Sequence, residues 1–267
     1  MSDQKVCLTI AGLDPSGGAG VIADIKTFSA FGCFAAAAVS SVTFQNTTGV
    51  FGSVNQDAAS IRGQVTAVMD DLPAAAVKTG MLPTREVIEE TAELMKRYSV
   101  SRLVVDPVVR STSGYDLIDQ HALQALIEKL FPLSLVVTPN LPEAERITGS
   151  RIRSQTELEN AAKAILSMGP ANVLMKGGHG IERGGKARDL LFSADGSVDV
   201  FEADMIDTTA THGTGCTLAA AITANLALGR DLAQSVSIAK EFVTEAIRTS
   251  KGHGRGHSPI NIPSSAK

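Results

Sequence analysis

The chain has 267 residues, enough to bury a large core, and it carries a formal net charge of −4 with 19% charged residues. No basic cluster longer than a pair occurs, so nucleic acid is not expected as a partner, and no apolar stretch reaches the roughly 18 to 20 residues of a membrane span. The N-terminus has no signal-peptide pattern, and the three cysteines form neither a CxxC pair nor a zinc-like Cys/His set, so we expect a cytoplasmic protein that binds a small soluble metabolite.

Short β-branched apolar runs alternate with amphipathic segments of about 10 to 16 residues, a pattern typical of βα units around a largely parallel sheet. The predicted strands are 6–11, 34–42, 76–78, 102–105, 135–138 and 172–176. The predicted helices between them are 21–31, 57–70, 84–98, 119–130, 141–148 and 155–168. Residues 189–194 and 198–203, separated by Asp195-Gly196, then predict a small antiparallel hairpin.

Two further helices, at about 213–228 and 232–249, complete the pattern. Because no linker, composition break or internal repeat interrupts it, we expect a single domain over residues 1–267. The glycine-rich tail, from about residue 251, is expected to be loosely ordered.

Polar or glycine-rich clusters follow each of the six predicted parallel strands. They are residues 12–20, 45–47, 80–81, 106–108, 139–143 and 177–179. Ligands of open parallel sheets bind at the carboxyl ends of the strands, so six successive clusters are better explained by one shared pocket than by six ordinary turns.

The stretch T-H-G-T-G-C at 211–216 precedes a long apolar run and predicts a helix start with free backbone amides. These amides and the positive end of the helix dipole attract phosphate, and the two glycines allow a large anion to approach the backbone. We expect the same field to lower the pKa of the Cys216 thiol. The alternative is a buried structural cysteine behind a glycine-rich turn.

Two other phosphate-binding motifs fit poorly to the first glycine-rich loop, residues 12–20, which follows the first predicted strand. Residues 18–23 match G-x-G-x-x-A, but no Asp or Glu occurs between Asp24 and Asp57 to hold a dinucleotide ribose. No P-loop sequence is present, and Lys26 falls inside a predicted helix. The phosphate site is therefore placed at residues 213–216.

Seven motifs occur along the chain in a characteristic order and spacing. They are A-G-x-D-P-S-G-G-A-G (11–20), A-D-x-K-T-F (23–28), Q-N-T (45–47), K-x-G-M-L (78–82), V-T-P-N-L-P-E-A (137–144), K-G-G-H (176–179) and T-H-G-T-G-C-T (211–217). Over residues 6–261 the chain resembles the hydroxymethylpyrimidine/phosphomethylpyrimidine kinase family. The resemblance implies a ribokinase-like, three-layer α/β/α fold with a mostly parallel central sheet flanked by helices and a small antiparallel hairpin after about residue 188.

The resemblance also implies an activity. It is the ATP-dependent phosphorylation of 4-amino-5-hydroxymethyl-2-methylpyrimidine to its monophosphate and then to the diphosphate, for thiamine diphosphate biosynthesis. ATP and Mg²⁺ would be the cofactors, the pyrimidine and ATP the small-molecule partners, and the protein a homodimer. Phosphoryl transfer needs a nucleophilic alcohol, a base, cations on the triphosphate and donors where charge develops.

Residue roles follow from the same resemblance. Cys216 matches the proposed base, and the amides of Gly213, Thr214 and Gly215 would form the anion hole. Asn140 and Glu143 match an N-x-x-E motif that organises Mg²⁺ and the phosphates through water, and Lys176 would contact an ATP phosphate. Asp106, because of its place at a strand end, is a second candidate for the metal or phosphate site. The residues implied at the pyrimidine are Gln45, Asp24, Gly12, Met81 and Val108. Without the resemblance, Met81 and Val108 are equally compatible with plain core, and Glu143 with a first-turn carboxylate stabilised by the helix dipole.

Three positions depart from the family pattern: Leu13, Phe44 and Arg110. Phe44 and Arg110 leave the exact substrate preference open. We hypothesise that Arg110 holds a monophosphate substrate, and equal turnover of both substrates by Arg110→Ala would contradict this. Two other functions stay open, a pyridoxine or pyridoxal kinase and a non-catalytic pyrimidine-binding regulatory protein.

Four histidines and the loop at residues 179–187 are given no catalytic role. His179 and His212 are interpreted as loop histidines, and His253 and His257 as solvated tail residues. Residues 179–187 have little apolar surface to bury and are expected to form a mobile cover over the pocket.

Overall fold

Nine strands form one sheet in the computed structural model, which describes residues 4–110, 114–177 and 185–266. The strands are Val6–Leu13 (β1), Phe34–Asn46 (β2), Gly49–Asn55 (β3), Ala76–Thr79 (β4), Leu103–Val105 (β5), Val136–Val137 (β6), Asn172–Lys176 (β7), Lys186–Ser193 (β8) and Val198–Asp204 (β9). Their order is β3-β2-β1-β4-β5-β6-β7-β8-β9. The six strands from β2 to β7 in this order are parallel, so their carboxyl ends meet at one edge of the sheet. β3 at one side and the β8–β9 hairpin at the other are antiparallel.

Helices cover both faces of this sheet. They are Gly20–Ala30 (α1), Ala58–Asp71 (α2), Arg85–Arg97 (α3), Gln120–Ala125 (α4), Leu141–Thr148 (α5), Gln155–Leu166 (α6), Thr214–Ala227 (α7) and Leu232–Arg248 (α8). One hydrophobic core lies between the sheet and α2 to α6, and a second lies between the sheet and α1, α7 and α8. None of the described helices is long and apolar enough to cross a membrane.

Helix α7 lies in the centre of the second core. All of its residues from Thr217 to Ala227 are buried, which explains why its sequence is apolar on every face. It packs against α1, α8 and three strands of the sheet. The N-terminus of α7 is therefore held in a fixed position relative to the carboxyl ends of the parallel strands.

Most predicted elements are confirmed, and the bounds of β7 and α5 are those expected. The sequence pattern missed β3 because it contains two glycines and pairs on one side only, so it lacks the alternation of a half-buried strand. The helix predicted over 119–130 is also different. Its α-helical part ends at Ala125 and continues as a π-helical turn and then a 3-10 turn that contains Pro132, which cannot donate to an α-helical ladder.

The expectation of a loosely ordered tail is wrong for its described residues. The His257 N–H donates to the Thr47 carbonyl at 2.8 Å, and the Ala266 N–H donates to the Ala30 carbonyl at 2.7 Å. Ser258 and Ile260 are buried, although His253 and His257 are exposed as expected. The glycines that suggested disorder instead allow the backbone to approach the body of the protein closely.

Candidate active site

A cavity of about 1230 Å³ lies at the carboxyl edge of the parallel strands. Every one of the six predicted strand-end clusters contributes to its wall, through Gly12, Gln45, Gly80, Asp106, Asn140 and Gly177. The start of α7 closes one side with Gly213, Thr214, Gly215 and Cys216. The prediction that these clusters share one pocket is therefore confirmed for the described residues.

The backbone of residues 213–216, here called the anion cradle, begins α7. Gly213 has φ +87° and ψ 0° and, as the N-cap residue, gives no side-chain cap, while the Thr214 N–H donates to the Thr211 carbonyl at 3.4 Å. A Cβ atom at Gly213 would overlap the carbonyl oxygen of Gly18, so the two glycine-rich loops pack backbone against backbone. Uncapped amides at a helix start that faces a cavity are suited to bind an anion.

Cys216 lies in the cradle and is half-buried. Burial raises the pKa of its thiol to about 11, and the nearby charge of Lys78 and the Gly20 N–H offset only part of this increase. The expectation that the helix start lowers the pKa of Cys216 is therefore wrong, because desolvation outweighs the favourable field. The thiol is protonated at neutral pH in the ligand-free protein.

The carboxylate of Asp24 does not reach the cavity. It is 0% exposed and accepts hydrogen bonds from Lys78 Nζ at 2.7 and 2.8 Å and from Thr9 Oγ1 at 2.6 Å. The direct substrate contact expected for Asp24 is thus not formed by this arrangement. Burial alone would lower the pKa of Lys78, but Asp24 and other nearby negative groups raise it above its usual value.

Lys78, not Asp24, lines the cavity, and it was missed in the sequence. The available signal was a lysine at the end of a short, otherwise apolar predicted strand, shortly before the cluster at residues 80–81. Such a residue needs a buried counter-charge, because an unpaired ammonium group is costly to remove from water. The partner is 54 residues away in sequence, so local patterns could not identify it.

Asp106 and Lys176 form a second buried pair in the cavity wall. Lys176 Nζ donates to Asp106 Oδ1 at 3.0 Å, and Thr138 Oγ1 donates to the same oxygen at 3.0 Å. Burial would raise the pKa of Asp106, but the charges of Lys176 and Lys78 hold it below its usual value. The Asp106 carboxylate is therefore ionised and faces the cavity together with a cation.

Asn140 and Glu143 form a capping box at the start of α5. The Asn140 N–H donates to Glu143 Oε2 at 2.8 Å, and the Glu143 N–H donates to Asn140 Oδ1 at 2.9 Å. The Glu143 carboxylate is also 3.8 Å from Lys176 Nζ and lines the cavity. The helix-start interpretation and the functional interpretation of this motif are thus compatible. Burial raises the pKa of Glu143 to about 7, although Lys176 partly opposes this shift.

The raised pKa of Glu143 predicts that Glu143→Gln stabilises the metal-free, nucleotide-free protein. The pKa of Glu143 is about 7 in the folded state against 4.5 for the free side chain, so wild type loses stability as the pH rises through this range. The amide of the variant keeps the capping geometry without the buried charge. We expect the free energy of unfolding of the variant to exceed that of wild type by about 3 kcal/mol at pH 8 and by less than about 1 kcal/mol at pH 5.

Denaturant unfolding in EDTA at both pH values measures this difference. Glu157→Gln is the matched control, because Glu157 occupies the corresponding first-turn position of α6. The Glu157 carboxylate is solvent-exposed, and the hydrogen bond that it accepts from the Arg153 N–H lowers its pKa. The control variant is therefore expected to lose a little stability. An equal free energy of unfolding for Glu143→Gln and wild type at pH 8 would contradict the buried charge.

The other residues expected at the pyrimidine also line the cavity, and the Val108 N–H donates to the Asp106 carbonyl at 2.8 Å. Gln45 Nε2 donates to Thr43 Oγ1 at 2.7 Å, which leaves the amide oxygen available. A Cβ atom at Gly12 would lie 3.0 Å from Met81 Sδ, so these two residues form a closely packed wall. Met81 is 7% exposed and Val108 partly buried, and both line the cavity. They belong to the core and to the cavity wall at once.

The positions that depart from the family pattern lie at different places. Arg110 lines the cavity, but its Nε donates to Asp116 Oδ1 at 2.9 Å and its side chain is exposed. Phe44 is exposed and does not line the cavity. Leu13 contributes a backbone carbonyl that accepts from Thr43 Oγ1 at 2.9 Å. Of the three, Arg110 alone is placed to influence a substrate through its side chain.

His212 is not a free loop histidine. It is buried, and its Nε2 lies 2.7 Å from Asp14 Oδ2. Asp14 also accepts hydrogen bonds from the backbone amides of Gly18 and Ala19, so it joins the first glycine-rich loop to the anion cradle. Burial opposes ionisation, but the hydrogen bonds from His212 and Ser16 keep the pKa of Asp14 below its usual value. His179 and residues 179–184 of the expected mobile cover lie outside the described residues.

Comparison with known proteins identifies similar chains over almost the full length. A family model described as phosphomethylpyrimidine kinase matches residues 14–261. The hydroxymethylpyrimidine/phosphomethylpyrimidine kinase of Haemophilus influenzae is 42% identical over 262 residues, which cover 98% of this chain and 97% of the relative.

Solved structures give the same result for the fold. The phosphomethylpyrimidine kinase of Clostridium difficile has a TM-score of 0.80 at 42% identity and covers 91% of this chain and 100% of its own. The pyridoxal kinase of Bacillus subtilis in an ADP complex has a TM-score of 0.89 at 36% identity, with 97% of this chain and 98% of that chain covered. The expected α/β fold, with a mostly parallel sheet between helices, is confirmed.

Proposed function

The chain belongs to the phosphomethylpyrimidine kinase family, and we propose that it phosphorylates 4-amino-5-hydroxymethyl-2-methylpyrimidine with ATP and then phosphorylates the product, for thiamine diphosphate biosynthesis. One observation carries the proposal. A single cavity contains an uncapped helix start, a carboxylate and lysine cluster, and an amide side chain at a closely packed apolar wall. These are the parts that phosphoryl transfer to a small heteroaromatic alcohol requires.

In the first reaction the hydroxymethyl oxygen attacks the γ-phosphorus of ATP. The bond from this phosphorus to the β,γ-bridging oxygen breaks and ADP leaves, while the alcohol proton passes to Cys216 in its thiolate form. The amides of Gly213, Thr214 and Gly215 stabilise the charge on the transferring group. In the second reaction a phosphate oxygen of the monophosphate replaces the alcohol as nucleophile. No alcohol proton is then removed, so Cys216 matters less.

The phosphates of ATP are assigned to the side of the cavity that carries Lys176. Its ammonium group is held by Asp106 and contributes a point charge to the triphosphate. Asn140 acts here by holding the Glu143 carboxylate in place through the capping box. Lys176 therefore contacts the nucleotide directly, whereas Asn140 positions a neighbouring group.

Asp106 and Glu143 are suited to hold Mg²⁺ through water. The described residues contain no group of three or more His, Cys, Asp or Glu side chains placed to hold a metal by themselves. Mg²⁺ is commonly held by one or two carboxylates together with substrate phosphates and retained waters, which fits this pair of oxygen donors. When bound, the ion neutralises charge on the phosphates.

The pyrimidine is assigned to the part of the cavity wall formed by Gln45, Gly12, Met81 and Val108. The Gln45 amide can accept and donate hydrogen bonds and so can recognise a ring nitrogen beside an exocyclic amine. Gly12, Met81 and Val108 supply the apolar surface for the ring. Lys78, held by Asp24, adds a fixed positive charge close to Cys216.

Incubation with the pyrimidine alcohol and Mg-ATP, followed by phosphorus NMR, tests the proposal. We expect resonances of the monophosphate first and the diphosphate later. Pyridoxal is assayed in parallel, because the Bacillus subtilis pyridoxal kinase has the higher of the two TM-scores above. Phosphorylation of pyridoxal alone would support a pyridoxal kinase instead, and binding of the pyrimidine without any phosphorylated product would support a regulatory protein.

Three expectations concern the protein as a whole. The single domain over residues 1–267, the cytoplasmic location and the homodimer stay predictions. Light scattering measures the mass of the particle in solution, and a mass equal to that of one 27.8 kDa chain would contradict the dimer.

A further inference from the structure

Residues 253–260, here called the C-terminal strap, contact the turn between β2 and β3. The His257 N–H donates to the Thr47 carbonyl at 2.8 Å, and the Gly256 N–H donates to Thr47 Oγ1 at 3.4 Å. A Cβ atom at Gly254 would overlap the Thr47 side chain, and one at Gly256 would overlap the Thr47 carbonyl oxygen. The alternating glycines of the tail are thus required for this close approach.

The strap also pairs with the residue that precedes the anion cradle. The His212 N–H donates to the Ser258 carbonyl at 3.2 Å, and the Ile260 N–H donates to the His212 carbonyl at 3.3 Å. A Cβ atom at Gly18 would lie 2.5 Å from His212 Cδ2 and 2.8 Å from Pro259 Cβ. The strap, the first glycine-rich loop and the start of the cradle therefore meet at one point.

The strap is itself fixed to the body of the protein. Ser250 Oγ donates to the Pro259 carbonyl at 3.0 Å, and just beyond the strap the Asn261 N–H donates to the Ala246 carbonyl of α8 at 3.0 Å. The β2–β3 turn, by contrast, belongs to an edge hairpin, because β3 pairs only with β2 and Phe51 on it is 68% exposed. β2 pairs with β1 only as far as Val42, so the end of the hairpin beyond Val42 rests on the β2–β3 pairing and has little stability of its own.

We propose that the C-terminal strap is a positioning element that sets the separation between Gln45 and the anion cradle. Thr47 is two residues from Gln45, and His212 directly precedes Gly213, so the strap joins the acceptor side of the cavity to the phosphoryl side. The inference rests on the proposed function for the identity of the substrate. Its physical reason is that small misplacements of reacting groups reduce rates strongly, by about 10²-fold for 1 Å.

Gly254→Ala tests the strap against Gly252→Ala. Gly252 has φ +69° and Gly254 has φ +77°, so both substitutions impose similar backbone strain. A Cβ at Gly252 meets nothing within 4 Å, whereas a Cβ at Gly254 collides with Thr47. We expect Gly254→Ala to raise KM for the pyrimidine about tenfold and to lower kcat, with KM for ATP changed less than about twofold. Gly252→Ala should keep all three constants close to wild type.

A second substitution separates positioning from loss of fold. Thr47→Gly removes the side chain that the new Cβ meets, so Thr47→Gly combined with Gly254→Ala should recover most of the pyrimidine KM relative to Gly254→Ala. Wild-type KM in Gly254→Ala would overturn the proposal. Equal kinetic losses in Gly252→Ala and Gly254→Ala, with no recovery in the double variant, would overturn it as well.

Amide hydrogen exchange gives a readout that does not depend on the substrate. Gly254→Ala should increase exchange at residues 45–48 and 211–216, while Gly252→Ala should not. If wild type phosphorylates nothing, the proposed function fails while the exchange result still decides on the strap. If wild type is active and exchange in Gly254→Ala is unchanged, the strap proposal fails alone.

Discussion

Replacement of Gly213 by alanine is expected to lower kcat by about 10² to 10³, the cost of losing one donor to a developing oxyanion. Gly213 has φ +87°, and a Cβ there would overlap the Gly18 carbonyl oxygen. The position of a Cβ is fixed by its own backbone and the Gly18 oxygen is a backbone atom, so neither can rotate away and the helix start or the loop at Gly18 must shift. The amides proposed to face the transferring phosphoryl group then change position.

Gly229→Ala is the matched control for this experiment. Gly229 has the same φ of +87° at the other end of α7, and a Cβ there meets nothing within 4 Å. Both variants incur left-handed strain of about 1 to 2 kcal/mol, but only Gly213→Ala disturbs the cradle. Steady-state kinetics and denaturant unfolding of the two variants measure this. Wild-type kcat in a folded Gly213→Ala protein would show that the cradle does not stabilise the transferring group.

Gly215 is the less sensitive of the two cradle glycines. A Cβ there would lie 3.3 Å from Lys176 Nζ, at the end of a flexible side chain. Alanine can therefore be accommodated by a small movement of Lys176, and only a bulkier side chain at this position should damage the cradle.

Replacement of Cys216 by alanine is expected to lower kcat for the alcohol by about 10²-fold, at the low end of the range for a general base. A thiol whose pKa is about 11 is almost entirely protonated near neutral pH, so the base acts through a small thiolate fraction. KM for the pyrimidine should change little because the Gln45 wall is untouched. The monophosphate reaction should be less affected, since it removes no alcohol proton.

The kinetics of both reactions with Cys216→Ala measure this expectation, with Cys33→Ala as the control for loss of a buried thiol outside the cavity. The rate of Cys216 alkylation in the ligand-free protein gives an independent measurement. It should rise about tenfold per pH unit from pH 7 to 9, because the thiolate fraction grows up to the pKa near 11. A plateau by pH 8, or full activity of Cys216→Ala, would contradict the assignment.

The two substitutions together rank the contributions of the cradle. In the proposed mechanism, Gly213→Ala removes electrostatic stabilisation that both reactions use, whereas Cys216→Ala removes a proton acceptor that only the first reaction uses. We therefore expect Gly213→Ala to impair both phosphorylations and Cys216→Ala to impair chiefly the first. A loss of kcat that differs between the alcohol and the monophosphate in one variant but not in the other would distinguish the contribution of the amides from that of the thiol.

Local features of the site could be predicted from the sequence because their partners are close in the chain. The Asn140 and Glu143 capping box spans four residues, and the helix start at Gly213 follows from glycines before an apolar run. The six strand-end clusters were sufficient to predict a shared pocket, because parallel strands direct their carboxyl ends to the same edge. Motif order then identified the family.

Only the tertiary structure decided which charges face the cavity and which are neutralised within the core. Lys78 meets Asp24 across 54 residues, Lys176 meets Asp106 across 70, and His212 meets Asp14 across 198. The strap reaches Thr47 across 209 residues.

The sequence by itself determined the order of elements, the family and the location of the anion cradle, since these depend on short-range periodicity and motifs. The pKa of Cys216, the buried pairing of Asp24 with Lys78 and the packed tail depend on desolvation and close contact between distant segments, which arise only when the chain is folded.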